Sequence, residues 1–275
     1  NEVITSPTQV QTSLDVDSVL CKNGNSGQIA ATTTGGTAPY TYFWSNNQNG
    51  QIATALTAGN YNVTITDFNG CSMTANATVS EPLSPLTGSI ILRQDPSCNG
   101  GTNGRIEVDA QGATPNYTYQ WSNGQSTSLA TGISSGVHTV TVTDVNGCSM
   151  SVSGTINQPS AIVLTTQILS NYNGAAITCP GVSNGSVGVI AGGGSGSYSY
   201  QWSPTGLNTA TINNIPQGTY DVTVTDIAGC KANASITIVD PTPLAATYSQ
   251  VNMLCHGNTN GQILVNATAG TGTLG

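Results

Sequence analysis

The cysteines of this 275-residue chain fall into a period, and the period constrains the fold more than any other feature. Cys21, Cys98, Cys179 and Cys255 recur at intervals of 77, 81 and 76 residues. Cys71, Cys148 and Cys230 follow the first three at 50, 50 and 51 residues. Trp44, Trp121 and Trp202 each stand 23 residues after the first cysteine of a pair. Self-similarity at a fixed spacing is the signature of tandem units that stack rather than share one core.

The text between these markers repeats as well. Each first cysteine is followed six residues later by glycine (Gly27, Gly104, Gly185, Gly261), and the three following residues begin a strand-like run. Then come YTYFW, YTYQW and YSYQW, followed by NVTITDFNGC, TVTVTDVNGC and DVTVTDIAGC. Each copy closes at proline (Pro82, Pro159, Pro241). We divide the chain into modules at 7–81, 82–158 and 159–240, with part of a fourth at 241–275. Residues 1–6 read as the end of a preceding copy, so both termini look like cuts through a longer array.

Within a module the apolar residues alternate with Thr, Ser and Asn, the pattern of half-buried strands. Gly, Asn, Ser and Pro lie between those runs, where turns need them. In the second module, strands are expected at about 86–94, 104–111, 116–122, 125–133, 137–144 and 149–156. Six to seven short antiparallel strands with Gly-rich turns predict an Ig-like or PKD-like β-sandwich per module, and an all-β chain. Trp44, Trp121, Trp202, Tyr42, Tyr119 and Tyr200 are expected in the cores. Modules of this size bury modest cores, so covalent help is expected.

Cysteines without metal-ligand spacing read as disulfides and imply an oxidising compartment. With four strands between its turns, a module would carry both cysteines at one end. That parity predicts Cys21–Cys71, Cys98–Cys148 and Cys179–Cys230, with the partner of Cys255 outside the fragment. Closing a loop of about 50 residues contributes roughly 4 kcal/mol in the chain-entropy account. A seventh strand hidden in 122–132 would reverse the parity. The rival scheme links neighbours: Cys71–Cys98, Cys148–Cys179 and Cys230–Cys255.

Few residues suit chemistry. Asp67, Asp144 and Asp226 recur at a strand end and are weak calcium candidates. Asp opening a turn that ends in Gly more simply bonds the turn's own N–H groups, and no second acidic position recurs to complete a calcium shell. The Asn-Gly loops after the first cysteine lack the Lys and helix of a phosphate cradle. The Tyr-Tyr-Trp stripe could stack on sugars, but its alternation points it at the Val and Ile of neighbouring strands. His138 takes the slot of Tyr61 and Tyr220, and His256 follows Cys255. Two histidines without a recurring acid or nucleophile make neither a triad nor a zinc site. We therefore expect no enzyme and no cofactor. Asp17-Ser18-Val19 fits a short bacterial O-glycosylation pattern.

Charge narrows the partners. Four basic residues against 12 acidic ones leave a net charge of −8. No basic stripe exists to displace counterions from nucleic acid, and no apolar run is long enough to span a membrane.

The ordered motifs Cys, Asn-Gly, Tyr-x-Tyr-x-Trp, Val-Thr-Val-Thr-Asp-x-x-Gly-Cys and Gln/Glu/Asp-Pro resemble the SprB-type repeat of large adhesins of gliding bacteria. His138 for Tyr and Ser26 for Asn depart from it. The resemblance implies export by the type IX route, display at the outer-membrane surface, and service in surface attachment and gliding. Expected partners are neighbouring repeats, surface polysaccharide, and the gliding or secretion machinery. Three roles follow as expectations: a structural shaft, a repeated glycan- or surface-binding module, or an accessory region of a secreted enzyme.

Overall fold

A computed structural model describes residues 6–253, 255–257 and 259–270. The expected tail of a preceding copy, 1–6, lies outside the described residues except for Ser6. The described residues are all-β, without a helix. The first module holds β1 (Gln11–Asp17), β2 (Gly27–Thr34), β3 (Thr41–Trp44), β4 (Ile52–Leu56), β5 (Gly59–Thr66) and β6 (Ser72–Val79). The second holds β7 (Thr87–Gln94), β8 (Gly104–Gln111), β9 (Thr118–Trp121), β10 (Leu129–Ile133), β11 (Gly136–Thr143) and β12 (Ser149–Ile156). The third holds β13 (Val163–Ile168), β14 (Gly185–Gly192), β15 (Tyr198–Ser203), β16 (Thr211–Ile215), β17 (Gly218–Asp226) and β18 (Lys231–Ile238). A hairpin of β19 (Ala245–Val251) and β20 (Gln262–Thr268) follows.

Each complete module is two three-stranded sheets, ordered β1-β2-β4 and β3-β5-β6 in the first and equivalently in the others. Alternation sends one side of every strand inward. In the first module Ile29 and Ala31 of β2, Trp44 of β3, Val63 and Ile65 of β5 and Val79 of β6 form one buried cluster. Clusters around Trp121 and around Trp202 repeat it. The three indoles are at most 2% exposed, whereas Tyr42, Tyr119 and Tyr200 are half-buried and pack against the cluster rims. The chain forms two compact units: residues 1–95 with 102–157, and residues 96–101 with 158–275. The first unit thus contains two sandwich cores, and the loop 96–101 between β7 and β8 belongs to the second.

The expected strand parity fails at one place. The run expected at 125–133 is paired only over β10, 129–133. After β9 the chain makes a tight reversal: Gln125 C=O accepts from Trp121 N–H at 2.9 Å, and Ser128 C=O then accepts from Val108 N–H of β8 at 3.0 Å. The first module does the same through Trp44 N–H to Gln48 C=O and Ala31 N–H to Gln51 C=O. This short return runs opposite to β3 and bridges Phe43 to Asn49. It acts as the extra strand that inverts every later turn.

Gly27 shows how tightly the sheets close. It sits where the β2–β4 register shifts, and an added Cβ would lie 2.8 Å from Leu56 C=O and 2.7 Å from Val79 Cγ1. Gly185 has the same relation to Ile215 and Ile238. A methyl group forced against backbone in a filled core costs about 1–3 kcal/mol. Gly27→Ala is therefore expected to lower unfolding free energy by about that amount, read as a fall in urea midpoint. An unchanged midpoint would mean the backbone yields there.

Candidate functional site: the cysteine junctions

The second cysteine of each module is placed by the recurring aspartate. Asp67 continues the inward-facing series Val63, Ile65 and is only 6% exposed. A buried carboxylate must find donors, and this one is surrounded by them. Its Oδ1 accepts the N–H of Cys71 at 2.8 Å and of Asn69 at 3.0 Å, while Oδ2 accepts Thr37 N–H at 3.0 Å. Asp144 binds Cys148, Asn146 and Thr114, and Asp226 binds Cys230, Ala228 and Ser195, through the same atoms. The carboxylate thus ties the β5–β6 turn to the β2–β3 loop. Chiefly through the Thr37 N–H, the Asp67 carboxyl is held below its ordinary pKa against the opposing effect of burial. Ser195 N–H does the same for Asp226.

The first cysteine lies at the opposite end of its module. Val19 N–H donates to Ser80 C=O at 2.8 Å, anchoring the loop after β1 to the end of β6. Glu81, the residue before Pro82, accepts Asn23 N–H at 2.6 Å and Lys22 Nζ at 2.7 Å. Gln158 accepts Gly100 N–H at 2.8 Å and Asp240 accepts Gly181 N–H at 3.4 Å, in each case two residues past the cysteine. Ser26 and Asn184, before the conserved-spacing glycines, turn back to accept Leu20 and Thr178 N–H. The Gln/Glu/Asp-Pro signature is therefore a clamp that shapes the first-cysteine loop. Sequence reasoning missed this role; the acceptor side chain recurring before each boundary proline was the available signal.

The structure overturns both expected disulfide schemes. Cys21 bonds Cys148 across 127 residues, and Cys98 bonds Cys230 across 132. In each bond the first cysteine of one module meets the second cysteine of the following one. The predicted pairs Cys21–Cys71, Cys98–Cys148 and Cys179–Cys230 do not form; Cys71, Cys179 and Cys255 are free and exposed. The reason is the return segment after the Trp strand. It puts the two cysteines of a module at opposite ends of strands of 8 residues, roughly 26 Å apart. A disulfide requires Cα atoms within roughly 7 Å.

The other candidates have structural placements. Each indole N–H donates to a backbone carbonyl, at Gly50, Thr127 and Thr209, at 2.8–2.9 Å. His138 Nε2 lies 2.9 Å from Ser134 C=O, so that nitrogen carries the proton. Tyr61 and Tyr220 send their hydroxyls to the equivalent carbonyls of Thr57 and Pro216. His138 therefore replaces tyrosine as a donor, four residues back along the chain. Ser18 is exposed and its Oγ is 2.7 Å from Ser80 Oγ. At the calcium candidates, the aspartate oxygens are met by N–H donors whose positive ends repel a cation. Among the described residues no group of three or more His, Cys, Asp or Glu is arranged to hold a metal.

A family model described as the SprB repeat matches residues 13–49, 94–126, 176–207 and 247–273. The chain carries SprB repeats. Each matched stretch holds a first cysteine, and the first three run on past the tryptophan. No curated protein matches the sequence. Among solved structures, the chain is similar to three N-terminal domains of the outer capsid protein Hoc of bacteriophage RB49 (17% identity, 84% of this chain and 97% of that one, TM-score 0.36). It is similar also to a tetra-tandem repeat in the extending region of a large adhesion protein (15% identity, 95% and 88%, TM-score 0.28).

The SprB-repeat junctions generate two expectations. Mass mapping of non-reduced peptides should join Cys21 to Cys148 and Cys98 to Cys230; a Cys98–Cys148 peptide as the main product would contradict the assignment. The depressed pKa of Asp226 stabilises the folded state above the ordinary carboxyl value of about 3.9, and that stabilisation is lost as pH falls through the lower folded value. Asp226→Asn should therefore be less stable than the parent at pH 7, with the gap closing as denaturation is followed below about pH 4. A gap constant down to pH 2 would show that the charge is not what the turn holds.

Proposed function

We propose that this chain is a load-carrying shaft segment of a large secreted surface protein that serves attachment and, by its likeness to SprB adhesins, gliding. The supporting observation is the pair of bonds that each join one module's loop to the next module's turn. A module that needed only its own stability would be served by an internal staple. Bonds that span modules tie each module to the next and withhold the chain between the bonded cysteines from extension. They also suit an oxidising, extracellular setting. The role proposed here is non-catalytic. The rings that a sugar-binding platform would present are turned into the cores at Trp44, Trp121 and Trp202.

Single-molecule pulling tests the shaft. The Cys21–Cys148 bond removes 127 residues from the extensible path, about 420 Å at roughly 3.3 Å per residue. With both ends held, the oxidised chain should reach a final length shorter than the reduced chain by at least that amount. Equal final lengths would remove the proposed load-bearing bonds.

A further inference from the structure

The two disulfides are held by the same framework but differ in what surrounds the sulfurs. Each second cysteine stands in a socket whose wall forms where the loop between the module's second and third strands bonds the segment ahead of its first strand. Ala113 N–H donates to Ser84 C=O at 3.1 Å, and Gly194 N–H to Ser160 C=O at 3.0 Å. The aspartate then fixes the cysteine over that wall. Cys148 N–H donates to Asp144 Oδ1 at 2.8 Å, and Cys230 N–H to Asp226 Oδ1 at 2.9 Å. Each carboxylate opposes a thiolate at its cysteine, so that influence is common to both bonds.

Access and the neighbouring cation are not common to both. Cys148 is 9% exposed, whereas Cys21, Cys98 and Cys230 are half-buried. The concavity bordered by Cys98 and Cys230 measures about 480 Å³, and Lys231 is on its rim. The one bordered by Cys21 and Cys148 measures about 300 Å³ and has Lys22 on its rim. Lys22 is committed to Glu81, with Nζ 2.7 Å from Oε1. Lys231 directly follows Cys230, is exposed and, among the described residues, makes no ion pair. Ser149 takes its place after Cys148.

We propose that Cys98–Cys230 is a site of thiol–disulfide exchange with low-molecular-weight thiols, while Cys21–Cys148 stays closed to them. A thiolate attacks the Cys98 sulfur and forms a mixed disulfide there. The Cys98–Cys230 bond breaks, and its electron pair leaves with the Cys230 sulfur. Lys231 stabilises that thiolate, and a stabilised thiolate leaves faster. The Cys230 thiolate then takes a proton from water. A second thiol molecule displaces the Cys98 sulfur, so that two reduced thiols become one small disulfide and the protein gains two thiols. Opening frees the 132 residues between these cysteines for extension. Asn99 Nδ2 still donates to Pro159 C=O at 3.0 Å and Gly100 N–H to Gln158 Oε1 at 2.8 Å, contacts that do not involve sulfur and keep the loop placed for re-oxidation. The inference goes beyond the shaft reading: exchange at this site requires the bond but no load.

Reduced glutathione is the probe. The free thiols of the full chain are capped with N-ethylmaleimide, glutathione is added in graded amounts, and newly released thiols are trapped with the deuterated reagent and mapped by peptide mass. Cys98 and Cys230 should be released about tenfold faster than Cys21 and Cys148, with a glutathione adduct on Cys98. Lys231→Gln should slow this release roughly threefold at low salt, and the difference should vanish at about 1 M salt. Lys231→Arg keeps the charge and should react at the parent rate. Release of Cys21 and Cys148 first or at an equal rate would overturn the proposal. So would Lys231→Gln opening at the parent rate in low salt, or a slowing that salt leaves unchanged.

Discussion

The chain reversal after the tryptophan strand governs what each module can do with its cysteines. It is built from a pair of backbone hydrogen bonds, Trp N–H to the turn and a β2-type N–H to the returning segment, and it recurs at Trp44, Trp121 and Trp202. The indole helps hold it, because its own N–H donates to a carbonyl on the returning segment six or seven residues on. Without that return, β5 would enter from the other end and the aspartate turn would sit beside the first-cysteine loop. With it, each module exposes a loop at one end and a socket at the other. End-to-end bonding follows from strand direction alone.

The bonds then act on a larger scale than an internal staple. A loop of 127 residues restricts the unfolded chain by about 5 kcal/mol in the chain-entropy account, against roughly 4 for one of about 50. The difference per bond is small. What changes is connectivity: Cys98 lies inside the loop closed by Cys21–Cys148, and Cys148 lies inside the loop closed by Cys98–Cys230. Neither loop opens fully while the other is closed, so one module's unfolding is coupled to its neighbour's. Small cores of Ile, Val and one Trp are thereby backed by their neighbours against unfolding.

Much of this was legible in the sequence because period-2 alternation and turn chemistry are local. Strands β8 and β12 lie at the expected residues, and Asp67, Asp144 and Asp226 bond their own turns as the Asp-x-x-Gly pattern implied. The disulfide partners were not legible, because they depend on counting reversals between distant turns. A return of a few residues after Trp121, too short to alternate visibly, changed the count by one. The Gln, Glu and Asp before the boundary prolines were visible but could not be assigned to a loop whose position depended on the same count.

Variation among the three clamps identifies which part of them matters. Glu81 makes an ion pair with Lys22 at 2.7 Å, with both side chains partly exposed, and such pairs contribute little in water. Gln158 carries no charge and Asp240 is a methylene shorter, yet each still presents an oxygen to the N–H two residues past its cysteine. The shared element is thus the acceptor, not the charge. A loop backbone that must project into another module's socket leaves its own N–H groups without strand partners. A side-chain acceptor fixed at the end of β6, β12 or β18 satisfies one of them and sets the angle at which the thiol leaves the module. This permits the loop residues themselves to vary, from Lys22-Asn23 to Asn99-Gly100 to Pro180-Gly181, while the acceptor contact is kept.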